Sequence, residues 1–193
     1  MAEERTLPIP AEHREFTVKV GGQEVSRASP LLSVTIVKTV NRIASARLAY
    51  SDGEASTGDF PLSTADTFVP GQEVEILAGA GSDVVSLFQG VIVRQSIKVK
   101  DKGPAQLVVE CRHKAYKLTV GRKSAYFFDK PDSDILTSLL DAAEVSAEVE
   151  STSVTHKQQV QFSCTDWDFL LARAEANGKL VFTNDDKVAV KAP

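Results

Sequence analysis

Residues 164–182 read CTDWDFLLARAEANGKLVF, and the stretch contains a start, a buried face and a stop for one helix. Thr165 is placed to accept from the amide of Asp168 while the Asp168 carboxylate reaches back, an acidic variant of the capping box. Asp166 and Asp168 also favour the positive end of the helix macrodipole. Trp167, Leu170, Leu171 and Ala174 fall at i, i+3, i+4 and i+7, so they form one apolar stripe and leave Arg173, Glu175 and Asn177 to face water or a partner. Gly178 follows Asn177 and takes the left-handed C′ conformation at little cost. Leu180 to Thr183, a turn at Asn184-Asp185-Asp186, and Val188 to Val190 then predict a hairpin.

Upstream, Pro131-Asp132-Ser133-Asp134 precedes Ile135, Leu136, Leu139 and Leu140, which are spaced as one face of a second short helix. Val160 and Phe162 predict a strand. Before Tyr126 the pattern is hairpin after hairpin. Phe16, Val18 and Val20 alternate with polar residues and run into Gly21-Gly22, a tight turn. A β-branched run from Leu31 to Val40 follows, and then Ala44, Ala46, Leu48 and Tyr50 share one face. SDGEASTGDFPLSTADTF, residues 51–68, reads as a surface connection. Val74, Ile76 and Ala78 alternate up to the glycines of AGAGSD, which predict a hairpin turn. The long run from Val84 to Lys98 is broken at Gly90, which suggests a bulge or a bend at a barrel corner. Asp101-Lys102-Gly103 turns the chain back into Leu107, Val109 and Cys111. The fold class expected is mainly β with minor α: an antiparallel β-barrel-like domain over residues 1–120, then an α+β module over residues 121–193.

The chain has 193 residues, enough to remove roughly 70% of its unfolded surface from water. Its net charge is −4, with cations and carboxylates interspersed, which argues against nucleic acid as a partner. Two cysteines, Cys111 and Cys164, cannot form a disulfide framework and read as buried free thiols made in a reducing compartment. MAEERTLPIPAEHREF, residues 1–16, lacks the apolar core of a secretory signal, so Sec export is not expected; order is expected to fall off only at the chain ends. No apolar run approaches the roughly 18 residues that span a bilayer, so stable membrane insertion is not expected.

His13, His113 and His156 are scattered without metal-ligand spacing, and His113 is expected at a strand end with its ring partly solvated. Asp129, Asp132 and Asp134, and again Asp166 and Asp168, could flank a glycosidic bond. Each group sits at a predicted helix start, where capping accounts for it. There is no Gly-x-Ser-x-Gly elbow and no phosphate-binding loop. No catalytic, cofactor-binding or metal-ligating residues, no cofactor and no enzymatic activity are expected. The one concentration of charge is Arg112, His113, Lys114, Lys117, Arg122 and Lys123. It reads either as a solvated strand edge blunted against pairing or as an electrostatic contact to an acidic neighbouring ring or subunit.

The order of these segments carries a resemblance. CTDWDFLLARAEANGKLVF resembles the S/T-D-x-D-F, helix, E-x-x-G, aromatic-strand signature of the valine–glycine repeat (VgrG) proteins of type VI secretion. The related spikes of extracellular contractile injection systems and the hubs of contractile phage tails share it. PGQEVEIL, LFQGVIVRQSIKV, LVVECRHKAYKLTVGRKSAYFF and SDILTSLL precede it in matching order, so the resemblance spans about Pro70 to Phe182. It implies the N-terminal hub portion of a structural, non-enzymatic spike or hub protein. Such a subunit trimerises, contributes barrel-like domains to a pseudo-sixfold ring, and joins an inner tube protein ring to baseplate and spike-tip proteins. Residues 121–193 would then begin a second hub domain left incomplete. Assembly in the bacterial cytoplasm and delivery outside the cell or into a target cell follow from the same resemblance. On it, Thr165, Trp167, Asp168, Leu170, Leu171 and Gly178 form the core and cap of a bracing helix. Arg112, Lys114, Lys117, Arg122 and Lys123 are the candidate interface. The competing expectation is a stand-alone β-barrel module that binds carbohydrate or peptide.

Overall fold

A computed structural model describes residues 15–26, 28–53, 58–80, 83–99 and 103–193. The N-terminal leader, the middle of AGAGSD, part of the 51–68 connection and Asp101-Lys102 of the following turn lie outside the described residues. The alternating segments form β1 (Glu15–Val20), β2 (Gln23–Glu24), β3 (Leu31–Val37) and β4 (Ser45–Asp52). After the short helix α1 (Pro61–Thr64) come β5 (Glu73–Ala80), β6 (Asp83–Lys98) and β7 (Ala105–Arg112). They make one antiparallel sheet in the order β2-β1-β5-β6-β7-β4-β3. Among the described residues no pairing joins its two ends, so the sheet is barrel-like in its single enclosed core but not a closed barrel.

The inward-facing residues of this sheet, among them Val18, Leu48, Tyr50, Ile76, Phe88, Ile92 and Val109, gather into one core. The 16-residue β6 turns around that core through two register shifts, which leave Leu87 and Val93 without direct partners on either side of Gly90. Gly90 is required for a different reason from a bulge of its own. A Cβ there would lie 2.2 Å from the carbonyl oxygen of Arg112, because β6 and β7 cross that closely. The connection over residues 51–68 is not simply a surface loop. Phe68 is fully buried and packs on Tyr50 with ring centroids 5.0 Å apart. Buried Asp52 accepts from the amides of Leu62 and Ser63 at 2.8 and 2.9 Å, satisfying the start of α1, where Pro61 has no amide hydrogen to place. An apolar plug at the end of the sheet explains why a segment rich in turn residues turns inward.

After β7 the chain makes a 3-10 turn, Lys114–Thr119, and then β8 (Lys123–Pro131), α2 (Asp132–Ala142), β9 (Ser146–Val149) and β10 (Thr155–Cys164). It ends with α3 (Asp166–Ala176), β11 (Leu180–Asn184) and β12 (Lys187–Lys191). β8 and β10 form a separate two-stranded ribbon, while β11 and β12 form a hairpin to which β9 adds in parallel. A second core gathers Leu118, Ile135, Leu136, Leu140, Trp167, Leu170, Val181 and Val188. It reaches back before residue 121 to take in Ala115 and Leu118. Cys111 is buried, but Cys164 is only half-buried.

The segment between β3 and β4 stitches the two cores together. Asn41 exchanges hydrogen bonds with Val181, its amide donating to the Val181 carbonyl at 2.8 Å and its side-chain oxygen accepting from the Val181 amide at 2.9 Å. The Ala44 amide donates to Thr183 Oγ1 at 2.9 Å, and that hydroxyl donates to the Arg42 carbonyl. His113 lies at the end of β7, yet its ring is buried, not partly solvated. Its Nδ1 accepts from the Ala115 amide at 3.1 Å and starts the 3-10 turn, so Lys114 and Lys117 stand on that turn instead of on a strand edge.

Candidate docking surface

The local chemistry of α3 begins at Thr165, whose Oγ1 accepts from the Asp168 amide at 3.0 Å. The Asp168 carboxylate does not reach the Thr165 amide; it accepts from the Thr165 hydroxyl at 2.7 Å. At the other end Gly178 has φ +62°, and the Lys179 amide donates to the Ala174 carbonyl at 2.9 Å, closing a Schellman cap. Trp167, Leu170 and Ala174 are buried and Leu171 is half-buried. Phe169, outside the apolar stripe read from the spacing, is buried as well, stacked at 5.8 Å on Phe127 of β8.

The carboxylates at the helix starts have other partners. The N-cap of α2 is Pro131, which offers no side-chain bond, and Asp129 lies at φ +49° on β8. Asp132 is gripped from α3: Arg173 donates to it through Nε and Nη2, both at 2.7 Å, and Asn177 Nδ2 donates at 2.8 Å. His156 Nε2 of β10 lies 3.0 Å away. Arg173 and Asn177 therefore face inward to a buried acid, not toward water. Burial pushes the Asp132 carboxyl up, but the bonds from Arg173, Asn177 and His156 outweigh it and hold the group at about 2. Asp166, also buried, accepts from Lys123 Nζ at 2.5 Å and from Gln161 Nε2 at 2.8 Å. Asp132 and Asp166 are thereby engaged in tying β8, β10, α2 and α3 together.

That bracing sets the geometry of the ribbon. On its inner face Phe127 and Gln161 pack toward α3; on its outer face Tyr126 pairs with Val160, and Phe128 with Gln158. Tyr126 and Phe128 are 64% and 58% exposed and lie stacked, 6.4 Å apart. The ladder shifts register between Gln161 and Cys164, with Ser163 at φ +45°, and this bulge leaves Phe162 79% exposed. Neither outer edge of the ribbon is paired among the described residues. Tyr126, Phe128, Val160 and Phe162 thus form an exposed apolar face on a ribbon whose edges are open among the described residues, the kind of surface that marks interaction sites in general. Its signal in the sequence was the alternation of Tyr126 with Phe128 and of Val160 with Phe162, which looks the same whether the alternating face is buried or exposed.

The basic residues do not converge on one free patch. Lys114 pairs with Glu73 at 2.7 Å, Lys117 with Glu144 at 2.9 Å and Lys123 with Asp166 at 2.5 Å. Among the described residues Arg122 reaches only the Ser163 carbonyl, at 3.4 Å, beside the ribbon bulge, and Arg112 is exposed at the end of β7. Among the described residues no three His, Cys, Asp or Glu side chains are placed to hold a metal ion, and no helix is long and apolar enough to cross a membrane.

Solved structures share this fold. The 43 kDa tail protein of prophage MuSo2 from Shewanella oneidensis superposes with a TM-score of 0.72 at 13% identity, over 92% of this chain and 53% of its own. A tail protein from Neisseria meningitidis MC58 gives 0.66 at 17% identity, over 92% and 50%. The E. coli c3393 protein is described as a component of the type VI secretion system with structural similarity to the T4 bacteriophage tail proteins gp27 and gp5. It gives 0.64 at 13% identity, over 90% and 48%. A Francisella PdpA–VgrG complex is similar at 0.60 and 10% identity, over 92% of this chain and 31% of that one. The chain thus has the hub-like fold of tail and VgrG proteins and spans about half the length of the tail proteins it resembles. No curated protein matches it in sequence. The family model described as the Alg8 N-terminal domain matches residues 10–193, and the chain belongs to that family.

Proposed function

We propose that this chain is a non-enzymatic hub subunit of a contractile, tail-like injection apparatus, trimerising to join the inner tube to the membrane-piercing tip. The observation that carries the reading is a hub-like fold shared with tail proteins over 92% of the chain. The aromatic ribbon supports it, because a tail-like particle is held by β-rich contacts and this face is exposed among the described residues. Its partners in this reading are two further copies of itself, the tube ring, and baseplate and tip proteins. It is assembled in the bacterial cytoplasm and leaves the cell with the particle.

The test is native mass spectrometry of the full chain, alone and with its tube protein, beside a Tyr126→Ser/Phe162→Ser variant. A trimer, or a stoichiometric complex with the tube ring, that the variant loses while keeping its melting temperature supports the reading. A wild-type chain that stays monomeric and ignores the tube protein overturns it. The stacked pair Tyr126 and Phe128 favours a second reading, a carbohydrate-binding face, because exposed aromatic planes suit sugar rings. Saturable glycan binding lost in Tyr126→Ser would select that alternative.

A further inference from the structure

The outward face of the seven-stranded sheet is charged unevenly. Toward β1 and β5 its charges are paired, Lys19 with Glu75 at 3.5 Å and Lys114 with Glu73 at 2.7 Å. Toward β4, β7 and β6 they are not. Leu48 and Val109 point into the core, so their neighbours Arg47 and Glu110 point out. Arg47 of β4 and Arg94 of β6 both lie opposite Glu110 of β7, and one row across three strands therefore reads Arg47, Glu110, Arg94. Arg112, two residues beyond Glu110 on the same face of β7, adds a third guanidinium. The three arginines are exposed, and among the described residues none of their guanidinium groups makes an ion pair or hydrogen bond. A shallow cleft of about 290 Å³ opens beside the row, lined by Thr35, Val37, Arg47, Glu110 and Arg112.

The complementary pattern stands on the second core. Helix α2 buries Ile135, Leu136, Leu139 and Leu140 and leaves Asp134 and Asp141 exposed, neither with a cationic partner among the described residues. These two acids are two helical turns apart on one face, about 10 Å along the axis. Arg47 and Arg94 are two strand spacings apart, also about 10 Å. Between the acids the helix presents neutral Thr137 and Ser138, so Glu110 at the middle of the row meets no like charge. We infer that α2 of one copy docks on the Arg47–Glu110–Arg94 row of a second copy, each guanidinium taking one carboxylate. A nucleic acid fits the row less well, because its phosphates would meet the Glu110 carboxylate. The two faces differ, so the contact is head-to-tail, and contacts of that kind close into a ring when the rotation permits. For its closure the inference rests on the trimer of the proposed function. Exposed ion pairs are individually weak, and the row therefore selects the partner and fixes its register more than it supplies affinity.

Charge reversal on each face of the full chain tests the contact, read by sedimentation equilibrium, with thermal melts to confirm that the variants fold. Arg47→Glu/Arg94→Glu and Asp134→Lys/Asp141→Lys should each weaken self-association at least about tenfold, since two attractions become two repulsions. Combining all four substitutions exchanges the signs and restores the match, so association should return to within about threefold of the wild type. Reversed pairs that associate as the wild type does, or a combined variant as weak as the pairs, overturn the contact and leave the trimer standing. A wild-type chain that stays monomeric overturns the trimer and the contact together. Binding of a duplex oligonucleotide that is lost in Arg47→Glu/Arg94→Glu, with self-association unchanged, assigns the face to phosphate groups and equally overturns the contact.

Discussion

Replacing Arg173 with methionine removes the guanidinium that donates twice, at 2.7 Å, to an Asp132 side chain only 2% exposed. Methionine keeps the hydrophobic stem, so the change isolates the charge and its two bonds. What remains is a buried carboxylate held by Asn177, with His156 Nε2 3.0 Å away. Breaking a buried pair on one side costs about 3 to 5 kcal/mol, mostly the penalty of the stranded charge. The pH dependence provides a second signature. The Asp132 carboxyl lies at about 2 in the fold against 3.8 for a free aspartate, so its contribution is fully present above 3.8 and is lost as pH falls toward 2. That interval corresponds to about 2 kcal/mol. Urea melts at pH 7 and at pH 3 should show Arg173→Met losing most at pH 7 and the gap narrowing in acid. Asp132→Asn/Arg173→Met, which removes both charges, should lose less than the sum of the single changes. A loss below about 1 kcal/mol for Arg173→Met at pH 7, or strict additivity, would refute a clasp centred on Asp132.

Four other substitutions test other parts of the structure. Trp167→Ala should cost about 3 to 5 kcal/mol by emptying a buried site, and Thr165→Ala only about 0.5 to 2 through the cap; denaturant melts separate the two. Gly90→Ala should destabilise at or above the upper end of about 1 to 3 kcal/mol, because the new carbon meets a backbone oxygen that cannot turn aside, and thermal melts read this directly. Burial, opposed by the Asp185 carbonyl and the Asp186 carboxylate, pushes the His113 imidazole down to about 4 from 6.5. Its unfolded form binds the proton first, so stability is full above 6.5 and declines by up to about 3 kcal/mol as pH falls to 4; His113→Gln should flatten that slope in pH-resolved melts.

The strands of the first sheet were legible because Val18, Val20, Leu48, Tyr50, Val74 and Ile76 alternate without interruption, and alternation has one reading when one face is buried. The segment over 51–68 was misread for a physical reason: turn residues dominate its composition, while its inward course depends on tertiary contacts, Phe68 on Tyr50 and the Leu62 and Ser63 amides on Asp52. Asp132 was hidden differently. An acid at a helix start has a sufficient local explanation in capping, and only tertiary structure brings Arg173 to it across 41 residues of sequence. His113 followed the same rule, since a histidine beside a lysine looks solvated until a second core closes over it. The ribbon lay between these cases. The period of Tyr126 and Phe128 is visible in the sequence, but the direction of that face is fixed by Phe127 stacking on Phe169.

Tertiary links of this kind have a consequence for assembly. The aromatic ribbon lies on the second core, while the two ends of the seven-stranded sheet, unpaired among the described residues, lie on the first. A subunit that presents both must hold them in one relation, or an interface formed at one would not register the other. The Asn41–Val181 exchange and the Ala44–Thr183–Arg42 chain of hydrogen bonds connect the cores by joining exposed Asn41 and Arg42 to buried Val181 and Thr183, whose buried polar groups cost about 1 to 3 kcal/mol if left unmade. Relative rotation of the two cores would break several of these bonds together, so the connection behaves as a splint. Asn41 itself lies at φ +59°, a conformation asparagine tolerates better than most residues, which places its amide and its side-chain oxygen on the same neighbour. Asn41→Ala should therefore loosen the orientation of the ribbon against the seven-stranded sheet while leaving both cores folded. Small-angle scattering of the full chain would read this as a broader distribution of sizes without loss of the far-ultraviolet circular dichroism signal. An unchanged scattering profile would mean that the apolar contact of Ile43 with the second core holds the two parts without the splint.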